Sequence, residues 1–212
     1  MHKIELKIKN CESIGDLREF IKSNNIRLIL FGEYHGFSKQ IPILIKIIKN
    51  IRPKFFLYEM LEEKKILNNK DFKRFLGKPN SENFSFISIY GQLKPIIRLA
   101  RSFNLPIIGC DIKNMAVNEN WREKRFSKKE AKTITRKREL QQVKIINKYI
   151  SKGLVFVLSG DYHLRKDSPI FSKLKAKKAI FIRPSFKWED RFSQANKFKD
   201  SEVFYTIKLY QK

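Results

Sequence analysis

The chain has few of the residues on which common small metal-binding and catalytic motifs depend. Its 212 residues include three histidines and two cysteines, and no Cys-x-x-Cys pair occurs, which excludes a zinc ribbon. Neither G-x-G-x-x-G nor G-x-x-x-x-G-K-[ST] is present, so the two common phosphate-binding loops are also excluded. Any catalytic or metal chemistry must therefore use the few histidines together with carboxylates.

Long hydrophobic segments are also absent. No apolar run reaches the ~18 residues that are needed to cross a bilayer. The first nine residues alternate polar and apolar side chains, as a strand does and a signal peptide does not. These patterns predict a cytoplasmic protein with no transmembrane segment. Because 42% of the residues are hydrophobic, we expect residues 1–212 to form a single domain with a sizeable core.

Acidic residues are scarce, at 21 against 46 lysines and arginines, so the formal charge is +25. One interpretation is a lysine-rich solvated surface of the kind that biased codon usage produces. The other is a surface that binds a polyanion such as a nucleic acid. No recognised nucleic-acid-binding motif accompanies the basic residues. A basic, nucleic-acid-associated protein that keeps the fold without the chemistry is therefore one functional hypothesis.

Strand-like apolar runs alternate with helical patterns along most of the chain. The strand-like runs cover residues 4–8, 26–31, 54–58, 105–110, 154–159, 178–182 and 203–207. Helical patterns begin near residue 13 and cover residues 38–50, 90–103 and 121–150. This repetition predicts an α/β fold with a largely parallel central sheet flanked by helices. The first and last strands are more polar, so we expect antiparallel edge strands there.

Two of the three histidines share one local sequence. Residues 32–35 read Gly-Glu-Tyr-His, and residues 160–163 read Gly-Asp-Tyr-His, each directly after an apolar run. Open α/β sheets bind their ligands just beyond the carboxyl ends of the strands. The repeat therefore predicts one site built from two strands that are far apart in sequence. Gly32 and Gly160 are expected to let the backbone turn at the strand ends.

Four predicted strands end next to potential metal ligands or proton carriers. These residues are Glu33, His35, Glu59, Asp111, Asp161 and His163. In a parallel sheet they all lie at the same edge, which is the carboxyl edge of the strands. Two imidazoles with several carboxylates suit a divalent ion of zinc, manganese, cobalt or iron. Without a metal, the same set could perform general acid–base catalysis.

We assign His35, His163 and Asp161 as candidate metal ligands. Glu33 and Glu59 are candidate catalytic carboxylates, which either complete the metal shell or take a proton from a metal-bound water.

Two alternative roles are open for each of three further residues. Tyr34 and Tyr162 either pack beside the site or ligate haem iron, as a tyrosine phenolate can. Asp111 either joins the site or caps a turn before Asn114.

These residues carry a resemblance to the ChaN-like, haem-binding-uptake and TIKI/TraB superfamily, which also includes the erythromycin esterases. The superfamily is marked by two G-x-x-H motifs with a glutamate between them, here residues 32–35, residues 160–163 and Glu59. Residues 90–109 resemble the segment of ChaN that precedes its central strand. The superfamily also has an arginine in the helix before the second motif, and Arg138 fits it best, with Arg136 as the alternative.

The resemblance implies two alternative functions. The TIKI branch implies a metal-dependent hydrolase of an amide or ester bond in a peptide or small molecule, with Arg138 stabilising the developing oxyanion. The ChaN branch implies haem or iron binding without turnover. Fold kinship alone does not fix the reaction.

The repeated motif makes a geometric prediction. If it forms one site, His35 and His163 meet at the same edge of the sheet. Zinc–nitrogen bonds of about 2.0–2.1 Å would place two ligating nitrogens roughly 3–3.5 Å apart. Imidazoles more than ~10 Å apart could not share an ion with such bond lengths.

Overall fold

The computed structural model describes residues 4–7, 14–33, 40–63, 66–67, 87–112, 127–165, 167–176, 178–185 and 204–211. The elements in chain order are β1 (Ile4–Lys7), α1 (Ile14–Ser23), β2 (Leu28–Glu33), α2 (Gln40–Ile51), β3 (Phe55–Glu62), β4 (Ile66–Leu67), α3 (Ile87–Ser102), β5 (Ile107–Asp111), α4 (Lys128–Ile150), β6 (Val155–Gly160), a 3₁₀ helix (Asp161–Leu164), α5 (Pro169–Lys173), β7 (Ala179–Ser185) and β8 (Phe204–Gln211). No helix in these ranges is long and apolar enough to span a membrane.

The described strands form one sheet in the order β1-β8-β7-β2-β6-β3-β5-β4. All neighbours from β8 to β5 run parallel. The short strands β1 and β4 pair antiparallel with β8 and β5. The predicted α/β fold, with a largely parallel sheet flanked by helices, is therefore confirmed.

The polar character of the last strand predicts a position at an edge of the sheet, but β8 does not lie at an edge. β8 is parallel to β7 on one side and antiparallel to β1 on the other. The N-terminal strand covers it, and a contact between the two ends of the chain leaves no local signal in either segment.

The hydrophobic core has two layers, one on each face of the sheet. One layer includes Ile29 and Phe31 of β2 and packs against α1, α2 and α3. The other includes Leu28 and Leu30 and packs against α4 and α5. Since β2 is buried on both faces, it reads as a continuous apolar run rather than an alternating one.

Helix α4 begins at a capping box. The Ser127 hydroxyl accepts a hydrogen bond from the backbone N–H of Glu130, and the Glu130 carboxylate accepts one from the backbone N–H of Ser127 at 2.9 Å. The helix then runs for 23 residues along the sheet to Ile150. Residues 121–126, where the sequence predicts its beginning, lie outside the described part of the chain.

Strand β3 continues beyond Tyr58, where the sequence predicts its end. Tyr58 pairs with Gly109 and Glu62 pairs with Asp111, so positions 58 to 62 of β3 lie opposite only positions 109 to 111 of β5. This irregularity is a bulge, which bends a strand and redirects its side chains. Glu59 therefore lies inside the bulged strand and not after it.

The bulge passes directly over Gly109. A Cβ atom at position 109 would lie 1.8 Å from the backbone oxygen of Glu62, so the sheet requires a residue without a side chain there. We predict that Gly109→Ala lowers the free energy of unfolding by about 2–3 kcal/mol, in the upper range of overpacking effects. Chemical denaturation measures this value.

Gly32→Ala is the matched control. A Cβ at position 32 would meet Oδ1 of Asp161 at 2.8 Å, and the end of a side chain can move away. We therefore expect the control to lose less stability than Gly109→Ala. Equal losses in the two variants would contradict this account of the bulge.

Candidate functional site

The two Gly-acid-Tyr-His segments begin side by side at the carboxyl edge of the sheet. Strands β2 and β6 are parallel neighbours, and Glu33 pairs with Gly160. Tyr34 and His35 lie outside the described residues. The predicted meeting of His35 with His163 therefore stays a prediction.

The 3₁₀ helix after β6 turns His163 back into the protein. Its residues differ strongly in burial: Tyr162 is 65% exposed, whereas His163 is 5% exposed and Leu164 is fully buried. Asp161 is half-buried at the start of the turn. One short helix thus supplies a buried imidazole and an exposed phenol ring.

Buried Glu59 accepts hydrogen bonds from two other elements. Its Oε2 lies 2.6 Å from the Ser159 hydroxyl on β6 and 3.4 Å from Nε2 of Gln142 on α4. The first distance is typical of a hydroxyl that donates to a carboxylate. Because Ser159 has one hydroxyl hydrogen, its 3.2 Å contact with Oε1 of Gln142 is the weaker one.

His163 lies between two buried carboxylates. Its Nε2 is 3.6 Å from Oε2 of Glu59, and its Nδ1 is 3.3 Å from Oε1 of Glu139. Both carboxylates are fully buried. Glu139 is also held by Arg165, whose Nη1 and Nη2 donate to its two oxygens. The histidine therefore has an acceptor on each side.

Asp111 and Arg138 form a second buried ion pair near the same edge. Arg138 donates through Nε to both oxygens of Asp111 at 3.0 Å and through Nη2 to one of them at 2.6 Å. Burial raises the pKa of Asp111 above its ordinary value, although Arg138 opposes the rise. Arg136, the alternative at the sequence level, is exposed.

Glu33 lies on the face of the sheet that is opposite to α4. Because it follows Phe31 by two residues in a regular strand, it faces the layer that contains α1, α2 and α3. Burial, with the charges of Glu33 and then Glu59, raises the pKa of Tyr58 well above its ordinary value. Glu33 and Glu59 thus act on one tyrosine, but the described contacts of Glu59 are on the α4 side.

The structure corrects the role expected of the two glycines. Gly160 has φ −55° and ψ 136°, a conformation that any residue adopts, so no special turn is required there. At Gly32 the close neighbour of a Cβ would be Oδ1 of Asp161, at 2.8 Å, so this glycine is distinguished by its contact with Asp161 and not by a turn.

Known protein structures resemble the structure of this chain, but its sequence alone matches no family model or curated protein. The structure of ChaN from Campylobacter jejuni, described as binding haem cofacially, matches with a TM-score of 0.61 and 14% identity over 92% of this chain and 91% of that one. The chain has a ChaN-like fold.

Two other solved structures share the ChaN-like fold. The type III effector HopBA1 matches with a TM-score of 0.53 and 14% identity over 99% of this chain and 98% of that chain. RRSP, a MARTX toxin effector domain from Vibrio vulnificus CMCP6, matches with a TM-score of 0.55 and 14% identity over 83% of this chain. The match spans only 37% of that structure. At such identities the similarity establishes the fold alone.

The described residues of this ChaN-like fold supply two donors spaced as metal ligands are. Nε2 of His163 and Oε2 of Glu59 are 3.6 Å apart, close to the roughly 3–3.5 Å expected for two ligands of one tetrahedral ion. No group of three or more His, Cys, Asp or Glu side chains able to hold an ion occurs among those residues. They do not by themselves fit a metal ion.

Four polar residues of the site are not among the sequence-based candidates. They are Glu139, Gln142, Ser159 and Arg165. A signal exists for two of them, because Glu139 and Gln142 continue the buried stripe of Val143, Ile146 and Ile150 towards the start of α4. Polar side chains on the buried face of a helix indicate a polar cluster beneath it.

We predict that Arg138→Met is strongly destabilising. It leaves the fully buried Asp111 carboxylate without its counter-charge, which typically costs about 3–5 kcal/mol. Asp111→Asn combined with Arg138→Met is the matched control, because it removes the buried charge and restores part of the loss. Urea denaturation of both variants measures the difference, and equal losses would contradict the ion-pair account.

The Arg138→Met loss should also depend on pH. Without the arginine, burial raises the pKa of Asp111 further. An acid with a raised pKa in the folded state binds its proton more tightly there, so stability falls as pH rises through that pKa. The loss relative to wild type should therefore be smaller in mild acid than at neutral pH, and a pH-independent difference would contradict this reasoning.

Proposed function

We propose that this protein is a hydrolase of an amide or ester bond, with Glu59 and His163 as its reacting pair. The observation that supports the proposal is the 3.6 Å separation of His163 Nε2 from Glu59 Oε2 at the carboxyl edge of the sheet. Both side chains are buried, at 5% and 0% exposure. Open parallel sheets bind substrates at this edge.

The separation suits a water molecule that serves both groups. A distance of 3.6 Å between Nε2 and Oε2 is longer than a hydrogen bond. A molecule that donates one hydrogen bond to Nε2 and another to Oε2 therefore provides both atoms with a partner, which their direct contact does not. Water has two hydrogens and can donate to each. In the proposed reaction, the oxygen of this water attacks the carbonyl carbon.

His163 then transfers a proton in two steps. Its Nε2 takes one proton from the attacking water, and Glu59 stabilises the resulting imidazolium through its negative charge. The tetrahedral intermediate collapses with cleavage of the C–N or C–O bond, and the departing nitrogen or oxygen receives that proton. General acid–base catalysis of this kind accelerates a reaction by about 10²–10⁴-fold.

A small neutral substrate suits the charge of the described site better than a polyanion does. The buried carboxylates of Glu59, Asp111 and Glu139 are concentrated there, although the chain as a whole is strongly basic. The role of Arg138 as an oxyanion stabiliser stays a prediction, because its Nε and Nη2 already bind Asp111.

We predict that Glu59→Gln and His163→Gln each lower kcat/KM by about 10²-fold or more. p-Nitrophenyl esters and peptide p-nitroanilides are suitable probes. Parallel assays with a chelator and with added manganese, cobalt or zinc show whether an ion contributes. Glu63→Gln is the control, since Glu63 is a partly exposed carboxylate that directly follows the same strand, with an oxygen 3.7 Å from Nζ of Lys144, and this variant should retain wild-type activity.

The comparison with Glu63→Gln makes the result decisive. Full activity in Glu59→Gln or His163→Gln would contradict the proposed pair. Wild-type protein that hydrolyses none of the probes would contradict the proposed bond specificity. Melting temperatures of all three variants separate catalytic losses from unfolding.

A second candidate function is haem binding, which Tyr162 favours. The residue is 65% exposed at the carboxyl edge, and the guanidinium carbon of Arg165 lies 4.7 Å from the centroid of its ring. Tyrosine is an established axial ligand of haem iron. The fold is that of a ChaN described as binding haem, which supports this alternative.

Hemin titration tests the second candidate. If Tyr162 is the axial ligand, wild-type protein shifts the Soret band and Tyr162→Phe does not. Tyr149→Phe is the control, because Tyr149 packs against Phe55 with ring centroids 4.9 Å apart and should bind as the wild type does. An identical Soret shift in wild type and Tyr162→Phe would exclude Tyr162 as the ligand.

A further inference from the structure

The Nδ1 side of His163 faces a carboxylate that the proposed reaction does not use. Glu139, on α4, is fully buried, and its Oε1 lies 3.3 Å from Nδ1. A buried charge next to an imidazole decides where the ring holds its proton. Glu139 is therefore placed to act on the reacting nitrogen from the opposite side of the ring.

The two distances favour one tautomer of the neutral ring. Nδ1 is within hydrogen-bond reach of Glu139, whereas Nε2, at 3.6 Å from Glu59, is beyond it. A proton on Nδ1 makes the available hydrogen bond and leaves a lone pair on Nε2. A proton on Nε2 would instead set the Nδ1 lone pair against a carboxylate oxygen at 3.3 Å.

Arg165 holds Glu139 in this orientation. Its two terminal nitrogens donate to the two oxygens of Glu139, and its Nε lies 3.0 Å from Oδ1 of Asp167. Burial lowers the pKa of Arg165, but the hydrogen bonds and charge of Glu139 outweigh this and raise it, so the guanidinium stays charged. The arginine therefore fixes the Glu139 carboxylate opposite Nδ1 and offsets part of its charge.

We propose that Glu139 is a positioning residue that holds His163 in the Nδ1–H tautomer, with the Nε2 lone pair directed towards Glu59. The catalytic role of this tautomer rests on the proposed hydrolase function, in which the Nε2 lone pair accepts a proton from water. The tautomer itself is a property of the free protein and can be measured without turnover. Glu139 acts through His163 and touches no reacting atom.

Nitrogen NMR of the full chain with ¹⁵N-labelled histidine tests the proposal. The chain has three histidines, and the signals that disappear in His163→Gln belong to His163. In a slightly alkaline buffer we expect Nδ1 of His163 to be protonated and Nε2 to be unprotonated, two states with well-separated ¹⁵N shifts. A proton on Nε2 in the wild type, alone or in addition to that on Nδ1, would overturn the proposal.

Two variants test whether Glu139 causes the preference. Glu139→Leu removes the acceptor at similar volume, and the proton should move to Nε2. Glu63→Leu is the matched control, because it removes a partly exposed carboxylate that lies 3.7 Å from Lys144 and leaves Glu139 and Arg165 in place, so the proton should stay on Nδ1. A wild-type NMR signature in folded Glu139→Leu would overturn the proposal, and if that variant does not fold, the wild-type spectrum decides alone.

The same variants separate this proposal from the proposed function. With an active probe, Glu139→Leu should lower kcat by about 10²-fold or more, as expected when a catalytic histidine has the wrong tautomer. Unchanged kcat in Glu139→Leu would refute the positioning role. Wild-type protein that hydrolyses no probe would remove the hydrolase function and leave the tautomer result intact.

Discussion

The buried carboxylate of Glu59 is the group on which the arrangement of the site depends. A charge in the protein interior is costly unless it is hydrogen-bonded or paired. Ser159 from β6 and Gln142 from α4 donate to one of its oxygens, and His163 from the 3₁₀ helix lies beside it. Three consecutive elements that are distant in sequence from Glu59 therefore converge on one of its oxygen atoms.

The carboxylates at this edge are unusual for such a basic chain. Only 21 of its residues are acidic, yet Glu59, Asp111 and Glu139 are fully buried close to one edge of the sheet. Replacing buried ion pairs by apolar residues is often neutral or stabilising, so stability alone does not account for this concentration. A role in proton transfer or ligand binding, which we propose for this edge, would account for it.

Local sequence patterns predict the central strands well because β2, β5 and β6 are fully buried. Continuous apolar runs separated by helical patterns identify β2, β5 and β6 to within about two residues, and the alternation of strands and helices predicts the parallel sheet. The position of β8 could not be predicted, since it depends on pairing with a strand at the other end of the chain.

The details of the site were only partly predictable. The sequence indicates His163, Glu59 and Asp111 because each is a polar residue at or near the end of an apolar run. It does not indicate the bulge in β3, which depends on the absence of a side chain at Gly109 on the neighbouring strand. It also does not reveal that Arg165 binds Glu139, because that contact joins a loop to a helix and has no periodic signal.

A double-mutant cycle shows whether Glu59 and His163 act as one unit. The rate of ester or anilide hydrolysis is measured for the wild type, Glu59→Gln, His163→Gln and the combined variant. Residues that act together show strongly non-additive losses. We expect the combined variant to be no slower than the slower single variant. A combined loss equal to the product of the two single losses would show that Glu59 and His163 act independently, which would exclude them as a reacting pair.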